Sequence, residues 1–264
     1  MSAPSRALPT APAAIRAIER QAFDCWPAGE VAELGEWRLR FNRGVTQRAN
    51  SAWTVGSPGM PTEDAVARVE AFYAARGLPA LVQLSPLTAP DDLDRVLETR
   101  GYARHATVTV QAALAAQVAQ GPTRPGLEIV CHAHLDEEWF SMSGTQGRYR
   151  GDAVAVYRRM MERIAPRACF ALARRAGEPV GVGLGIHGRG WVGIFSMLTA
   201  PGHRGLGIGR EIVREIAHWA VIRGGNFLYL QVEEDNEAAQ ALYAGAGFET
   251  LYRYHYRRQL APAA

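Results

Sequence analysis

The chain contains no lysine, so its 29 basic side chains are all arginines. An ATP- or GTP-binding loop needs a Gly-Lys-Ser/Thr sequence after its glycines, and the absence of lysine excludes that class of site. The three cysteines, Cys25, Cys131 and Cys169, lie far apart and form no Cys-x-x-Cys pair. The sequence therefore predicts neither a zinc site nor a disulfide framework, and we expect no metal.

Charge and hydropathy exclude further classes of protein. The 29 basic and 26 acidic side chains leave a net charge of +3, which is too small to indicate a nucleic-acid or membrane partner. No apolar run approaches the roughly 20 residues of a membrane-spanning helix. Residues 1–12 are rich in proline and alanine and lack the apolar core of a signal peptide. We interpret them as a disordered tail and expect a cytoplasmic protein, monomeric or homodimeric.

The most informative segment is a glycine-rich stretch, Arg204–Arg210, between a predicted strand at Trp191–Thr199 and a predicted helix at Gly209–Arg223. Its three glycines permit backbone conformations that are closed to other residues and a close approach to a ligand. A loop that leads into a helix N-terminus directs backbone N–H groups at one point, where phosphate binds well. The segment therefore predicts a site for a cofactor that carries a pyrophosphate.

Two pyrophosphate loops remain after the ATP/GTP class is excluded. A dinucleotide fingerprint requires G-x-G-x-x-G, and here the third glycine comes one position early. Glu233 does follow at a plausible distance for a ribose contact, so that alternative is weakened and stays open. The second loop is R/Q-x-x-G-x-G/A, which Arg204, Gly207 and Gly209 match in full.

A second motif lies downstream. Asn236-x-x-Ala239-x-x-Leu242-Tyr243-x-x-x-Gly247-Phe248 follows a predicted strand, with Asn236 placed to begin a helix and Gly247 placed to end it. Together with R-x-x-G-x-G, this motif resembles the GNAT superfamily of N-acetyltransferases. The resemblance covers roughly residues 127–258.

The resemblance implies an α/β (α+β) fold with a mixed sheet and transfer of an acetyl group from acetyl-CoA to a primary amine in a ternary complex. The acceptor is expected to be a small molecule or an amino acid. The residues that this resemblance assigns to acetyl-CoA are Met197, Leu198, Thr199, Arg204, Gly205, Leu206, Gly207, Ile208, Gly209, Arg210, Asn236 and Tyr243.

The resemblance also implies catalytic roles. Backbone N–H groups near Leu198 would polarise the thioester carbonyl, and Tyr243 would act as general acid or hold the sulfur by a hydrogen bond. The predicted strand Trp191–Thr199 contains no carboxylate, although many relatives place a glutamate there. Glu233 is our candidate for the general base, with Glu234 and His187 as alternatives. An acceptor that arrives as the free amine needs no strong base.

The acceptor site is expected before the first long helix of the GNAT-like region, where Trp139, Arg148 and Tyr149 are candidate contacts. An arginine beside aromatic rings suits a carboxylate or phosphate on a small amine, although these side chains are equally typical of an ordinary surface. The alternatives are an enzyme that acetylates a protein N-terminus or lysine, and a non-catalytic regulator that binds acetyl-CoA.

The predicted organisation is a tail at 1–12, an N-terminal domain at 13–115, a linker at 116–126 and a catalytic domain at 127–264. The N-terminal half repeats the strand and helix order of the other half, but Gly56–Pro61 stands where the cofactor loop would be. Its two prolines remove two N–H donors, and R-x-x-G-x-G is absent. We interpret this half as a degenerate GNAT-like domain, with an unrelated α+β domain as the alternative.

Overall fold

The computed structural model describes residues 7–121, 124–145 and 149–260, with Thr145 described in its backbone only. These residues form a mixture of helices and strands. The helices are α1 (Ala11–Cys25), α2 (Thr62–Ala74), α3 (Leu93–Thr99), α4 (Ala115–Val118), α5 (Glu137–Phe140), α6 (Asp152–Ile164), α7 (Ile208–Ile222) and α8 (Glu237–Gly245). The strands are β1 (Glu30–Leu34), β2 (Trp37–Phe41), β3 (Ala52–Trp53), β4 (Leu81–Leu84), β5 (Tyr102–Leu114), β6 (Glu128–His132), β7 (Ala168–Arg175), β8 (Glu178–Gly188), β9 (Trp191–Thr199), β10 (Phe227–Glu233) and β11 (Glu249–Gln259).

The chain divides into two compact units, and their boundaries differ from the predicted ones. One unit holds the chain up to Cys25 together with Val110–Leu251. The other holds Trp26–Thr109 together with the chain from Tyr252 onward. The first helix therefore belongs with the C-terminal motifs, and the last strand belongs mostly with the N-terminal half. No composition change marks these boundaries, because two of them fall inside β5 and β11.

The unit that contains the glycine-rich loop has the strand order β5-β10-β9-β8-β7-β6. The pairs β6–β7, β7–β8 and β8–β9 are antiparallel, whereas β9 and β10 are parallel and are joined through α7. Helix α7 covers the sheet with an apolar stripe at helical spacing, Ile212, Val213, Ile216 and Ala220, all of it buried. This packing holds α7 behind β8 and β9.

Three glycines on β8 explain how closely α7 packs. A Cβ at Gly181, Gly183 or Gly185 would lie 2.9 Å or less from an isoleucine methyl of α7. Any side chain at these positions would push the helix away from the sheet. The N-terminal end of α7 is therefore fixed relative to β8 and β9.

The other unit has the strand order β1-β2-β3-β4-β11-β5. Its β2 and β3 are antiparallel, and its β3 and β4 are parallel and joined through α2. β1 and β2 are also antiparallel. Both units thus place antiparallel pairs before one parallel pair that is joined through a helix, consistent with the predicted repeat of strand and helix order. Its core contains Trp37, Val69, Tyr73, Leu93 and Leu97.

The last strands of the two halves, β5 and β11, have exchanged neighbours in the strand order. β11 follows the second helical motif along the chain, yet it pairs antiparallel with β4, from His255 opposite Leu84 to Arg258 opposite Leu81. The neighbour of β10 is instead β5. The strand beside β10 is therefore supplied by a segment that precedes the cofactor loop in the chain.

One helix was not predicted. Residues 1–12 were interpreted as a disordered tail, but α1 begins at Ala11 and runs to Cys25. Residues 1–6 lie outside the described residues. The buried face of α1 is Ala14, Ile18, Ala22 and Cys25, a repeat of three or four residues that is typical of an amphipathic helix.

Candidate active site

Strand β9 contains a β-bulge near its C-terminal end. Val182 of β8 lies opposite Leu198, whereas Leu184 lies opposite Phe195, so the one residue between them on β8 faces two residues on β9. Ser196, one of those two, has a positive φ of 49°. A bulge turns backbone polar groups out of the regular ladder and redirects the strand. The bulge therefore makes backbone groups available near Met197 and Leu198.

Strands β9 and β10 part at the same level. Their parallel pairing runs from Phe227 opposite Trp191 to Leu230 opposite Ile194. Beyond that pair, β9 continues to Thr199 and β10 to Glu233, with no further pairing of these described residues to each other. Past Ile194, β9 therefore makes no further ladder pairs with β10.

The glycine-rich loop has the backbone that its sequence requires. After a helical turn at Pro201–His203, Gly205 and Gly207 both take φ of +74°, a left-handed conformation that favours glycine. Helix α7 begins at Ile208, one residue before the predicted start. Glu211 N–H donates to the Gly207 carbonyl at 3.2 Å. The N–H groups of the three preceding residues have no acceptor within the helix and point out of its end.

Gly209, the last glycine of the motif, is buried and serves packing. A Cβ there would lie 2.6 Å from Leu242 Cδ1 on α8. The two motifs are thus in direct contact, because the final glycine of the loop motif lets α8 approach α7. Arg204 and Arg210 are exposed and leave positive charge beside the loop.

Asn236 and Tyr243 lie at the two ends of α8. The Asn236 side chain accepts the Ala239 N–H at 3.1 Å, so this asparagine caps the helix, as predicted. Tyr243 is 8% exposed, and its ring lies edge-on to Phe248 at 6.0 Å between centroids. Burial raises the pKa of Tyr243 to about 12. The phenol is therefore neutral throughout the physiological pH range.

The candidates for the general base lie in different places. Glu233 is the last residue of β10, and its side chain is exposed; its carbonyl accepts the Asn236 N–H at 3.1 Å. His187 lies opposite Val192 on β9, about 20 Å along the strand from Leu198. That distance removes His187 from the place where the strands part. Burial, with Arg223 nearby, lowers the pKa of His187.

The predicted acceptor residues differ in their surroundings. Trp139 has no exposed surface: its indole N–H donates to the Gly183 carbonyl at 2.9 Å and its ring packs edge-on against Phe170. This placement makes Trp139 a support for β8 and not the substrate contact that the sequence suggested. Tyr149 is half-buried, and Arg148 lies outside the described residues.

Sequence reasoning missed the contact that joins this region to the bulge. The hydroxyls of Tyr157, on α6, and Ser196 lie 3.0 Å apart. The Tyr157 ring also packs against Tyr149, with centroids 4.5 Å apart, and against Phe140 at 5.9 Å. Only a predicted bulge in β9 would have identified Ser196, and no sequence pattern indicates one.

The described ranges contain neither a metal-binding cluster nor a membrane-spanning helix. Residues 7–121, 124–145 and 149–260 contain no group of three or more His, Cys, Asp or Glu side chains that could hold a metal ion. Within the same ranges, each helix is too short or too polar to cross a membrane.

Comparisons with known proteins agree with this geometry. Residues 12–257 match the family described as "Probable histone acetyltransferase Rv0428c C-terminal". An uncharacterized N-acetyltransferase, YobR of Bacillus subtilis, is 31% identical over 250 residues, which is 92% of this chain and 98% of that protein.

Solved structures show the same fold. A GCN5-related N-acetyltransferase from Kribbella flavida superposes with a TM-score of 0.68 at 15% identity, over 96% of this chain and 95% of that one. A tandem GNAT protein from the clavulanic acid biosynthesis pathway superposes with a TM-score of 0.62 at 16% identity, over 81% and 76%. The chain therefore belongs to the Rv0428c C-terminal family and is an N-acetyltransferase of the GNAT superfamily.

Proposed function

We propose that this chain transfers the acetyl group of acetyl-CoA to the primary amine of a small molecule or amino acid, by direct attack of the amine. One observation carries the proposal. Strand β9 bulges at Ser196, parts from β10 beyond Ile194 and leads directly into the loop at the start of α7. A single strand thus connects the glycine-rich loop to a stretch of backbone that is not paired with β10.

The residues of the loop fit the pyrophosphate of acetyl-CoA. Gly205 and Gly207 hold left-handed backbone, and neither has a side chain of its own to keep a ligand away from the loop. The unpaired N–H groups at the start of α7 and the positive end of the helix dipole attract an anion. Arg204 and Arg210 add charge at the same end. We assign Arg204–Arg210 to cofactor binding on this basis.

When bound, acetyl-CoA supplies an activated acetyl group as a thioester. The half-buried segment Met197–Thr199 lies past the bulge and past the last β9–β10 pair. Its backbone groups would therefore be available to the thioester. The Met197 sulfur lies 2.7 Å from the position of a Cβ at Gly183, so this side chain points towards the core. The N–H groups near Leu198 are the candidate oxyanion donors.

Tyr243 is proposed to donate to the departing sulfur. Its pKa of about 12 lies above the value of about 8.5 for an ordinary thiol, so complete proton transfer is uphill. A hydrogen bond from the O–H group requires no transfer and stabilises charge that develops on the sulfur. Of the two roles expected for Tyr243, the raised pKa favours the hydrogen bond.

The base is the least constrained part of the mechanism. Strand β9 carries no carboxylate, and Glu233 lies exposed at the end of β10. An exposed carboxylate can accept a proton through water, so Glu233 remains our candidate. We propose that the acceptor otherwise binds as the free amine. We also predict that the protein acts in the cytoplasm and is a monomer or a homodimer.

A second candidate function is acetylation of a protein amine. The observation that favours it is the match to a family described as a probable histone acetyltransferase. A protein acceptor needs an open groove, whereas a small acceptor needs polar groups that fix its orientation.

The experiment that separates the two functions measures thiol release from acetyl-CoA against a panel of acceptors. The panel contains small amines, amino acids, aminoglycosides, peptides with free N-termini and histone-tail peptides. We expect the highest kcat/KM with a small acceptor. Turnover restricted to peptides would instead establish the second function. Acetyl-CoA binding without turnover on any acceptor would contradict both.

A further inference from the structure

Arg124 places its guanidinium group on the cofactor loop. Its Nη1 atom donates to the Leu206 carbonyl at 2.8 Å. A Cβ built on Gly207 would lie 2.8 Å from Arg124 Cζ and 2.9 Å from its Nη2. The guanidinium therefore covers the side of Gly207 on which a side chain would stand. Arg124 comes before β6 and is not part of the R-x-x-G-x-G motif.

Gly121, three residues before Arg124, is held to helix α7. Arg214 of α7 is buried, and its Nη1 donates to the Gly121 carbonyl at 2.9 Å. The Arg214 guanidinium also lies 2.6 Å from the Glu211 carboxylate, so its position is fixed by a buried ion pair. Gly121 and Arg124 are thus attached to α7 and to the loop that leads into it.

The chemistry of Arg124 suits a phosphate at this point. The Leu206 carbonyl takes one of the five N–H groups of a guanidinium, which leaves four for other acceptors. Arginine binds phosphate oxygens through two parallel N–H donors, and this geometry is stronger than a single neutral hydrogen bond. The unpaired N–H groups at the start of α7 lie on the same loop and attract the same charge.

We propose that Arg124 is a further cofactor-binding residue, whose guanidinium donates to the pyrophosphate of acetyl-CoA above Gly207. The inference rests on the proposed function, because it adds a residue to the same site. The pyrophosphate is favoured over the 3′-phosphate because the guanidinium lies at Gly207, inside the loop assigned to the pyrophosphate.

Isothermal titration calorimetry of the full chain with acetyl-CoA tests this inference. We expect Arg124→Ala to raise Kd about tenfold, within the range for loss of a charge-assisted hydrogen bond. Arg124→Lys keeps the charge but loses the planar fork, so its Kd should lie between those of the wild type and Arg124→Ala. The loss should shrink as salt is raised, because Arg124 is exposed.

A matched control removes one arginine charge at a distance from the loop. Arg223 follows the last turn of α7, about 20 Å from the loop, and Arg223→Ala should leave Kd within twofold of the wild type. Unchanged melting temperatures of the ligand-free variants would show that the fold is intact. 3′-Dephospho-CoA lacks the 3′-phosphate but keeps the pyrophosphate, so it distinguishes the two phosphate groups.

With 3′-dephospho-CoA, Arg124→Ala should cost the same factor as with CoA. A loss confined to CoA would overturn the assignment to the pyrophosphate. An Arg124→Ala variant with wild-type affinity for acetyl-CoA would overturn the inference while leaving the proposed function standing. A wild-type chain that fails to bind acetyl-CoA would contradict the proposed function itself.

Discussion

Replacing Gly207 by alanine separates the two reasons for a glycine at this position. Gly207 has a φ of +74°, and its Cβ would meet the Arg124 guanidinium at 2.8 Å. Gly59, in the other unit, has a φ of +73° and nothing within 4 Å of an added Cβ. Gly59→Ala is therefore a matched control that introduces the same backbone strain without the contact.

The strain should be similar in the two variants. A left-handed alanine costs roughly 1–2 kcal/mol relative to glycine, so each substitution should lower the free energy of unfolding by about that amount. The clash at Gly207 adds little to this cost, because the far end of an exposed arginine can move. Moving it removes a donor from the loop, and the methyl group also occupies the space over Gly207. We expect acetyl-CoA to bind Gly207→Ala roughly ten- to a hundredfold more weakly.

Urea denaturation measures the strain, and calorimetry with acetyl-CoA measures the affinity. Gly59→Ala should lose stability but keep wild-type affinity. If Gly207→Ala binds acetyl-CoA as tightly as Gly59→Ala does, the loop is not the pyrophosphate site. If the two variants differ in stability by several kcal/mol, the estimate of strain from φ is wrong.

The remaining predictions test the rest of the site. Tyr243→Phe should lower kcat about ten- to a thousandfold with little change in acetyl-CoA affinity; because the pKa of Tyr243 is about 12, the wild-type kcat should show no fall from its ionisation between pH 7 and 10. Asn236→Ala should cost about 0.5–2 kcal/mol in urea denaturation through loss of the cap, and Asn236→Asp should restore most of it. A fragment of residues 126–264 should be poorly soluble or inactive, because it lacks α1 and Val110–Leu114 of its own unit; a soluble fragment with full activity would contradict this. Calorimetry should give one acetyl-CoA per chain, and a second site in the N-terminal half would refute the degenerate interpretation.

The parts of the fold that were predictable have strong local signals. Trp191–Thr199 was predicted as a strand with the bounds that β9 has, and α7 begins one residue from its predicted start. Apolar periodicity and glycine positions determine both elements locally. After Phe248, tyrosines alternate with basic residues, a pattern typical of a strand, and this segment forms β11. The sequence could not show that β4 is the partner of β11. Strand partners depend on contacts between distant residues.

The acceptor side was predicted less well for a similar reason. Trp139 and Tyr149 are both aromatic residues near a helix start, yet one is completely buried and the other is half-buried. An aromatic residue type is compatible with a core or a binding surface, and only the packing of Phe170 and β8 decides for Trp139. The contact between Arg124 and the loop was not predicted, because Arg124 lies outside the motif and reaches the loop only through the tertiary structure.

The two halves of the chain show why a repeated topology need not repeat a function. In the N-terminal half, β3, α2 and β4 correspond to β9, α7 and β10, and residues 56–61 correspond to the cofactor loop. There the Ser57 N–H already donates to the Glu36 carboxylate at 2.7 Å, and the two prolines of this loop have no N–H group.

The charge at this second helix start also has the wrong sign for phosphate. Glu63 and Asp64 occupy the first turn of α2, so carboxylates already take the favourable field of the helix N-terminus. Although Glu63 pairs with Arg100, Asp64 adds a second carboxylate in the same turn. The first turn of α7 has a single carboxylate, Glu211, which is paired with the buried Arg214, and two arginines lie beside the loop before it. The strand order needed for a cofactor site is therefore present in both halves, and the charges and N–H donors of the two loops predict that acetyl-CoA binds to only one of them.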